Sequence, residues 1–321
     1  MSGDQTSGPA ILLGGPTASG KSALALRLAE AAGGELINAD SMQVYRDLLV
    51  LTARPGPDDT ARARHHLFGH LDAALRCSVG RWQEEAQSAA RAVLDRGRVP
   101  ILVGGTGLYL DAFRRGMSPI PDVPEAVRDT LTRRMAEEGS VALHAELCAW
   151  DPDLARQLAP GDSQRIQRAL EVVEATGTPL SSWQQLPRSG GWPGPVLYIT
   201  LMPPREALYR QCEARFDAML DEGALEEVER LADRALDPTL PAMRALGVAD
   251  LMAHLRGDLD LETAVARAKT GTRRYAKRQS TWFRNQVSDA LAVEAFGYDE
   301  TSRTAVAAAN RFLLTAKGSP A

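Results

Sequence analysis

Cysteine is scarce in this chain. The 321 residues hold three, Cys77, Cys148 and Cys212, far apart and with no C-x-x-C pair. That excludes a disulfide framework and a zinc site built on paired cysteines, and it fits a reducing compartment. Long apolar runs are missing too: none approaches the ~20 residues that span a bilayer. The first ten residues are polar and lack a basic n-region with an apolar h-region, so no secretory signal is expected. There is no excess of basic charge, with 37 Lys and Arg against 41 Asp and Glu for a net charge of −4. Any polyanion must therefore be met by a local basic patch. Lysine occurs only at Lys21, Lys269, Lys277 and Lys317, and aromatics make up only 5%. The expectation is a cytoplasmic protein with no membrane partner. What remains is ordinary for a globular chain, 44% apolar and 24% charged, and long enough for two domains.

The most informative stretch is Gly15-Pro16-Thr17-Ala18-Ser19-Gly20-Lys21-Ser22. It fits G-x-x-x-x-G-K-[ST], the phosphate-binding loop. An apolar run at 10–14 reads as a buried strand before it, and 21–32 reads as a helix after it. Glycines let backbone N–H groups face an anion, and the helix N-terminus adds a favourable dipole. Lys21 supplies a point charge, and Ser22 can hold Mg²⁺. A di- or triphosphate-like ligand follows, though not the use of ATP.

Strand patterns recur at 35–40, 99–104 and 196–201, with a helix at 82–96. This alternation predicts an α/β fold, a P-loop NTPase-like parallel sheet flanked by helices. The rhythm breaks between 118 and 194, where Pro119, Pro121 and Pro124 open a stretch that Pro187, Gly190, Gly191, Pro193 and Gly194 close. Helical patterns at 125–138, 141–148 and 164–174 mark an all-helical insertion. The expected organisation is a discontinuous core, 9–118 with 192–315, and an insertion at 119–191. Further helices are expected at 205–222, 225–235, 260–284 and 302–315.

Several residues carry candidate chemistry. Asp40 and Ser41 close the second strand, where strand ends of open α/β sheets meet ligand. A carboxylate there can accept a proton or help hold Mg²⁺; an N-cap on the next turn is the alternative. The third strand ends in Gly104-Gly105-Thr106 rather than the magnesium-binding Asp of many ATPases. Small residues there imply close approach of a ligand or of another backbone. Arg205, Arg210 and Arg215 offer an anion clamp or mere surface pairing with Glu206 or Glu213. Residues 264–288 hold seven cations and no acid, interleaved with Tyr275, Trp282 and Phe283. That composition suits phosphate contacts with stacking on exposed bases, or a solvated helix face. His65, His66 and His70 make a poor chelate, because adjacent residues face different ways.

Together these residues resemble the tRNA dimethylallyltransferase family, the bacterial tRNA isopentenyltransferases. The phosphate loop, Asp40-Ser41-Met42-Gln43-Val44-Tyr45 and Gly104-Gly105-Thr106-Gly107-Leu108-Tyr109 are similar to its first three signatures. Asp162-Ser163-Gln164-Arg165-Ile166-Gln167-Arg168-Ala169-Leu170-Glu171-Val172 and Ala276-Lys277-Arg278-Gln279-Ser280-Thr281-Trp282-Phe283-Arg284 follow in order. The likeness runs from about Pro9 to Val287. It departs at Leu51, where the family has a glycine before Thr52-Ala53-Arg54-Pro55, and at Phe68-Gly69-His70-Leu71-Asp72.

The resemblance implies transfer of a dimethylallyl group from dimethylallyl diphosphate to N6 of adenosine 37 in tRNA, beside the anticodon. Gly15 to Ser22 would hold the diphosphate, with Mg²⁺ on Ser22. Asp40 would be the general base, Thr17 would donate to the scissile oxygen, and Arg215 would neutralise the leaving group. Contacts to the anticodon stem-loop would fall on Asp40, Ser41, Met42, Gln43, Thr106, Arg128, Gln164, Arg165, Ile166, Gln167 and Arg168. Those on the C-terminal side would be Arg244, Ala245, Leu246, Gly247, Val248, Lys277, Arg278, Gln279, Ser280, Thr281, Trp282, Phe283 and Arg284. A monomer is expected. Prenyl transfer to free AMP and a P-loop small-molecule kinase are the competing enzymes; a non-catalytic RNA-binding module would not need Lys21 and Asp40 together.

Overall fold

A computed structural model describes residues 8–296 and 300–318. The chain begins with β1 (Ala10–Gly14), α1 (Lys21–Ala32), β2 (Gly34–Asn38), α2 (Pro57–Arg62), β3 (His65–His66), α3 (Val79–Asp95), β4 (Val99–Gly104) and α4 (Gly107–Arg115). Five helices follow: α5 (Glu125–Glu137), α6 (Gly139–Trp150), α7 (Pro152–Ala155), α8 (Ser163–Thr176) and α9 (Leu180–Gln185). The rest comprises β5 (Val196–Leu201), α10 (Arg205–Asp221), α11 (Ala224–Asp233), a 3₁₀ turn (Ala242–Arg244), α12 (Val248–Leu255), α13 (Leu261–Gln286), β6 (Leu291–Val293) and α14 (Glu300–Gly318).

The strands form one sheet in the order β3-β2-β4-β1-β5-β6, every pairing parallel. Both faces are covered, which is why β1 is apolar throughout rather than alternating. Alternate residues of each strand point to opposite faces. Ile11, Leu13, Ile101, Val103 and Ile199 enter a core shared with α1 and α14. Ala10, Leu12, Leu102 and Tyr198 enter a larger core with residues of α3, α4 and α10 to α13. Such a sheet gathers its crossover loops at the strand C-termini.

The sequence pattern predicts four strands; the sheet has six. β3 and β6 are edge strands of two and three residues, too short to show a period. Helices α2, α4, α7, α9 and α12 are likewise additions. The second strand also stops at Asn38, two residues before Asp40. There the Asn38 side chain replaces the ladder: its Oδ1 accepts Asp40 N–H at 2.8 Å, and its Nδ2 donates to the carbonyls of Asp40 and Leu67.

The chain divides into two compact units, Met1–Arg114 with Trp192–Ala321, and Arg115–Gly191. The second is all-helical around its own core of Leu131, Leu143, Leu147, Ile166, Leu170 and Leu180. Its ends are joined by reciprocal backbone hydrogen bonds between Met117 and Ser189, both 3.0 Å. Asp151, 1% exposed, accepts the N–H groups of Leu154 and Ser181 and so ties α7 to α9.

Candidate active site

The phosphate loop leaves β1 through Gly15, whose φ of +150° is accessible to glycine. A Cβ there would stand 2.7 Å from the Leu201 carbonyl of β5. The turn continues through Ala18 at φ +59° and Gly20 at φ +86°, the N-cap of α1. Lys21 folds back and donates to the Pro16 carbonyl at 2.5 Å. Burial pulls its pKa from 10.5 to about 7; the Asp40 carboxylate opposes that fall, and Arg215 adds to it. The Ser19 hydroxyl is fully buried with no hydrogen-bond partner among the described residues. A pinched loop with a desolvated ammonium, an orphaned hydroxyl and a helix N-terminus is suited to an anion.

Asp40 faces this loop from the turn after β2. Its Oδ1 accepts Met42 N–H at 2.9 Å, and its Oδ2 has no hydrogen bond among the described residues. Trp82, fully buried, supports the turn by donating to the Asn38 carbonyl at 2.8 Å. The neighbouring Ser41 N–H donates to Thr106 Oγ1 at 3.0 Å. The glycines after β4 are explained by protein rather than ligand. A Cβ on Gly104 would collide with the Ala39 carbonyl, and one on Gly105 would collide with Gln279 Nε2.

Helix α10 brings Arg215 into the cleft, where its charge acts on Lys21. Arg205 instead stacks on Tyr209 within its own helix, and Arg210 is exposed. Cys212 is buried beside these groups, and burial pushes its thiol up to about 11, against the thiolate form. Phosphate loop, Asp40 and Arg215 thus line one cleft of about 530 Å³. Leu26, Leu36, Phe68, Ala53, Pro55 and Val103 give it an apolar wall. The loop that carries Ala53 is anchored by Glu227, 4% exposed, whose carboxylate accepts the N–H groups of Leu49, Val50 and Leu51 at 2.7–3.0 Å. Leu51, where the family pattern has glycine, fills the core.

Ser22, Asp40 and Asp59 are among the oxygen donors that line the cleft, and Ser22 and Asp40 are those the sequence points to for Mg²⁺. Among the described residues no group of three or more His, Cys, Asp or Glu could hold a metal. A cation here would take most of its ligands from a diphosphate and water, as Mg²⁺ commonly does. His66 pairs with Glu35 at 2.6 Å and His70 with Glu85 at 2.9 Å, while His65, which lines the cleft, has its Nδ1 2.8 Å from the Ala63 carbonyl.

Several expected RNA contacts need correction. Ile166 and Val248 are fully buried, and Ala245, Gln279 and Phe283 are 5%, 5% and 2% exposed. Gly247 is buried as well, the left-handed N-cap of α12. These side chains belong to the interior because they lie on the inward faces of their helices and turns. Trp282 is not a free stacking platform either, since its ring lies where a Cβ on Gly107 would fall. Lys269 and Arg273 are tied to Asp217 and Glu213 of α10. Lys277, Arg278, Thr281 and Arg284 are exposed on α13, as is Arg244 on its 3₁₀ turn; Leu246 and Ser280 are half-buried. Ser41, Met42, Gln43 and Thr106 are half-buried at the strand ends. In the helical unit, Gln164 and Arg165 are exposed, and Arg128, Gln167 and Arg168 half-buried. Tyr275 escaped the sequence-based site. It lies beside Thr106 and Asp40, and burial raises its pKa well above the usual range. Only its place among the aromatics signalled it.

The IPP transferase family model matches residues 43–286, and an isopentenyl transferase model matches 9–68. The tRNA dimethylallyltransferase of Rhodopseudomonas palustris is 54% identical over 286 residues, 87% of this chain and 88% of that protein. That of Rhodospirillum centenum is 54% identical over 284 residues, 88% and 90%. Among solved structures, the tRNA isopentenylpyrophosphate transferase of Bacillus halodurans superposes with a TM-score of 0.69 at 31% identity, covering 97% of each chain. A eukaryotic dimethylallyltransferase acting on tRNA superposes with a TM-score of 0.80 at 28% identity, covering 96% of this chain and 80% of that one. With a phosphate loop, a facing carboxylate and an arginine in one cleft, and with these matches along most of its length, the chain belongs to the IPP transferase family.

Proposed function

We propose that the chain transfers the dimethylallyl group of dimethylallyl diphosphate to N6 of adenosine 37 of tRNA and releases diphosphate. One observation carries the reading: a single cleft holds an anion cradle, a carboxylate and an arginine beside an apolar wall, while β4 ends in glycines rather than in an acid. The cradle binds the leaving group, the apolar wall takes the five-carbon chain, and Asp40 meets the amine.

In the reaction the N6 lone pair attacks C1 of the allyl group. The C1–O bond breaks, its electrons depart on the diphosphate, and the N6 proton passes to Asp40. Lys21, Arg215 and the Thr17 hydroxyl neutralise charge growing on the departing oxygen. Preorganised stabilisation of this kind is usually what lowers a barrier most. Ser22 would hold Mg²⁺, which would supply further charge neutralisation there. The adenine must leave its stack to reach Asp40, at a cost of a few kcal/mol. Exposed Lys277, Arg278, Arg284 and Arg244 meet tRNA phosphates, and the helical unit offers Arg128, Gln164, Arg165 and Arg168 to the anticodon stem-loop.

The test offers labelled dimethylallyl diphosphate with unmodified tRNA, with AMP, and with no acceptor. Label on tRNA alone is the expected result. Label on AMP, or ATP consumed with the prenyl donor ignored, would overturn the proposal.

A further inference from the structure

Gln279 holds two loops at once. The Thr17 N–H of the phosphate loop donates to its Oε1 at 2.8 Å, and its Nε2 donates to the Gly105 carbonyl at 2.8 Å. At 5% exposure it has no access to a macromolecule. Four residues earlier on α13, Tyr275 lies beside Thr106, whose Oγ1 accepts Ser41 N–H. One helix face thus ties together the loops that follow β1, β2 and β4.

We infer that Gln279 is a positioning residue for the diphosphate cradle and not a tRNA contact. Holding the Thr17 amide fixes where the Thr17 hydroxyl and the amides after it stand relative to Asp40. It also withdraws the Thr17 N–H from the anion. With Pro16 lacking a donor, the main-chain cradle begins at Ala18. The contact favours glycine at position 105, since a Cβ there would push Nε2 off the Gly105 carbonyl. Because Lys277, Arg278 and Arg284 project from the same helix, the brace also links the proposed RNA-facing surface to the place where the leaving group is held. The ligand class is an allylic diphosphate or its product, inorganic diphosphate. The inference rests on the proposed prenyl transfer for its purpose, but the brace is testable without turnover.

The experiment measures inorganic diphosphate binding and tRNA binding to the full chain by calorimetry. It compares the parent with Gln279→Met, which keeps the volume and removes both hydrogen bonds, and with Gly105→Ala, which crowds the same amide. Each single variant should weaken diphosphate binding about tenfold, the worth of roughly one net hydrogen bond. The tRNA dissociation constant should stay within about twofold. The double variant should be no worse than the weaker single one, since both disrupt one contact. A rise in the tRNA constant with diphosphate binding unchanged would overturn the inference, as would no change in either. If Gln279→Met does not fold, Gly105→Ala alone gives the same readings. Brace-dependent diphosphate binding in a protein that transfers no prenyl group would leave this inference standing and defeat the proposed function instead.

Discussion

The two faces of α13 share one stretch of sequence and do opposite things. The inward face, Thr272, Ala276, Gln279 and Phe283, is buried against α10 and the loops at the strand ends. The outward face carries Arg274, Lys277, Arg278 and Arg284 in solvent. A basic run laced with aromatics reads as one RNA-binding segment, yet its aromatics wedge the core. Phe283 occupies the place where a Cβ on Gly14 would stand, and Trp282 caps Gly107 in the same way. Composition reports what a segment holds; helical periodicity decides which half of it can meet a partner.

The largest break between the faces is expected at the chemistry the inward face braces. Asp40→Ala should lower kcat by about 10²–10⁴-fold, the usual worth of a positioned base. Its tRNA dissociation constant should remain near the parent value, because the outward cations of α13 persist. Quench-flow turnover and filter binding on the same preparation separate the two. A fully active variant would remove Asp40 from the mechanism.

Next comes Phe283→Ala. Deleting a ring 2% exposed should destabilise the fold by about 3–5 kcal/mol, read from urea unfolding. Well below the melting temperature its tRNA affinity should change little. Weakened tRNA binding without a stability loss would make Phe283 a contact and erase the distinction between the faces.

A smaller effect concerns Lys21. Its lowered pKa of about 7 means that the free enzyme carries the ammonium below neutrality and loses it above. A bound diphosphate favours the charged form, so binding above pH 7 should take up a proton. Affinity should then fall by up to about tenfold per pH unit on the alkaline side. Calorimetry in buffers of different ionisation enthalpy reads that uptake directly. Pyrophosphate binding with no proton uptake at pH 8 would mean that the ammonium is already charged there.

Motif spacing made the cradle legible, because its glycines and lysine lie within eight consecutive residues and encode a backbone path. The parallel sheet was legible in the same way, from apolar strands too continuous to have a solvent face. Asp40 could be placed near the cleft, but not the two-residue extension beyond β2 that Asn38 creates. The loop contacts of Gln279, expected only as an RNA contact, and the anchoring by Glu227 could not be read. Gln279 acts on a loop 262 residues away in sequence, and Glu227 on one 176–178 residues away. Nothing local distinguishes either from a surface residue. The burial of Gln279, Phe283 and Val248 depended on which helix face turns inward, and a motif does not state that.

The finest comparison is between adjacent residues. Phe283 and Arg284 differ by about 100° around the helix, enough to move from core to solvent. Arg284→Ala should leave stability within about 0.5 kcal/mol, as for an exposed site with no special contact. If its guanidinium meets a phosphate, tRNA binding should weaken a few-fold, and the salt dependence of log K should become shallower by about one ion. The effect should be similar for different tRNAs, since a phosphate contact reads no base. Titrating parent and variant at several salt concentrations tests this. An unchanged slope would move the proposed RNA surface off this end of α13 and leave Lys277 and Arg278, a full turn or more nearer its N-terminus, as its boundary.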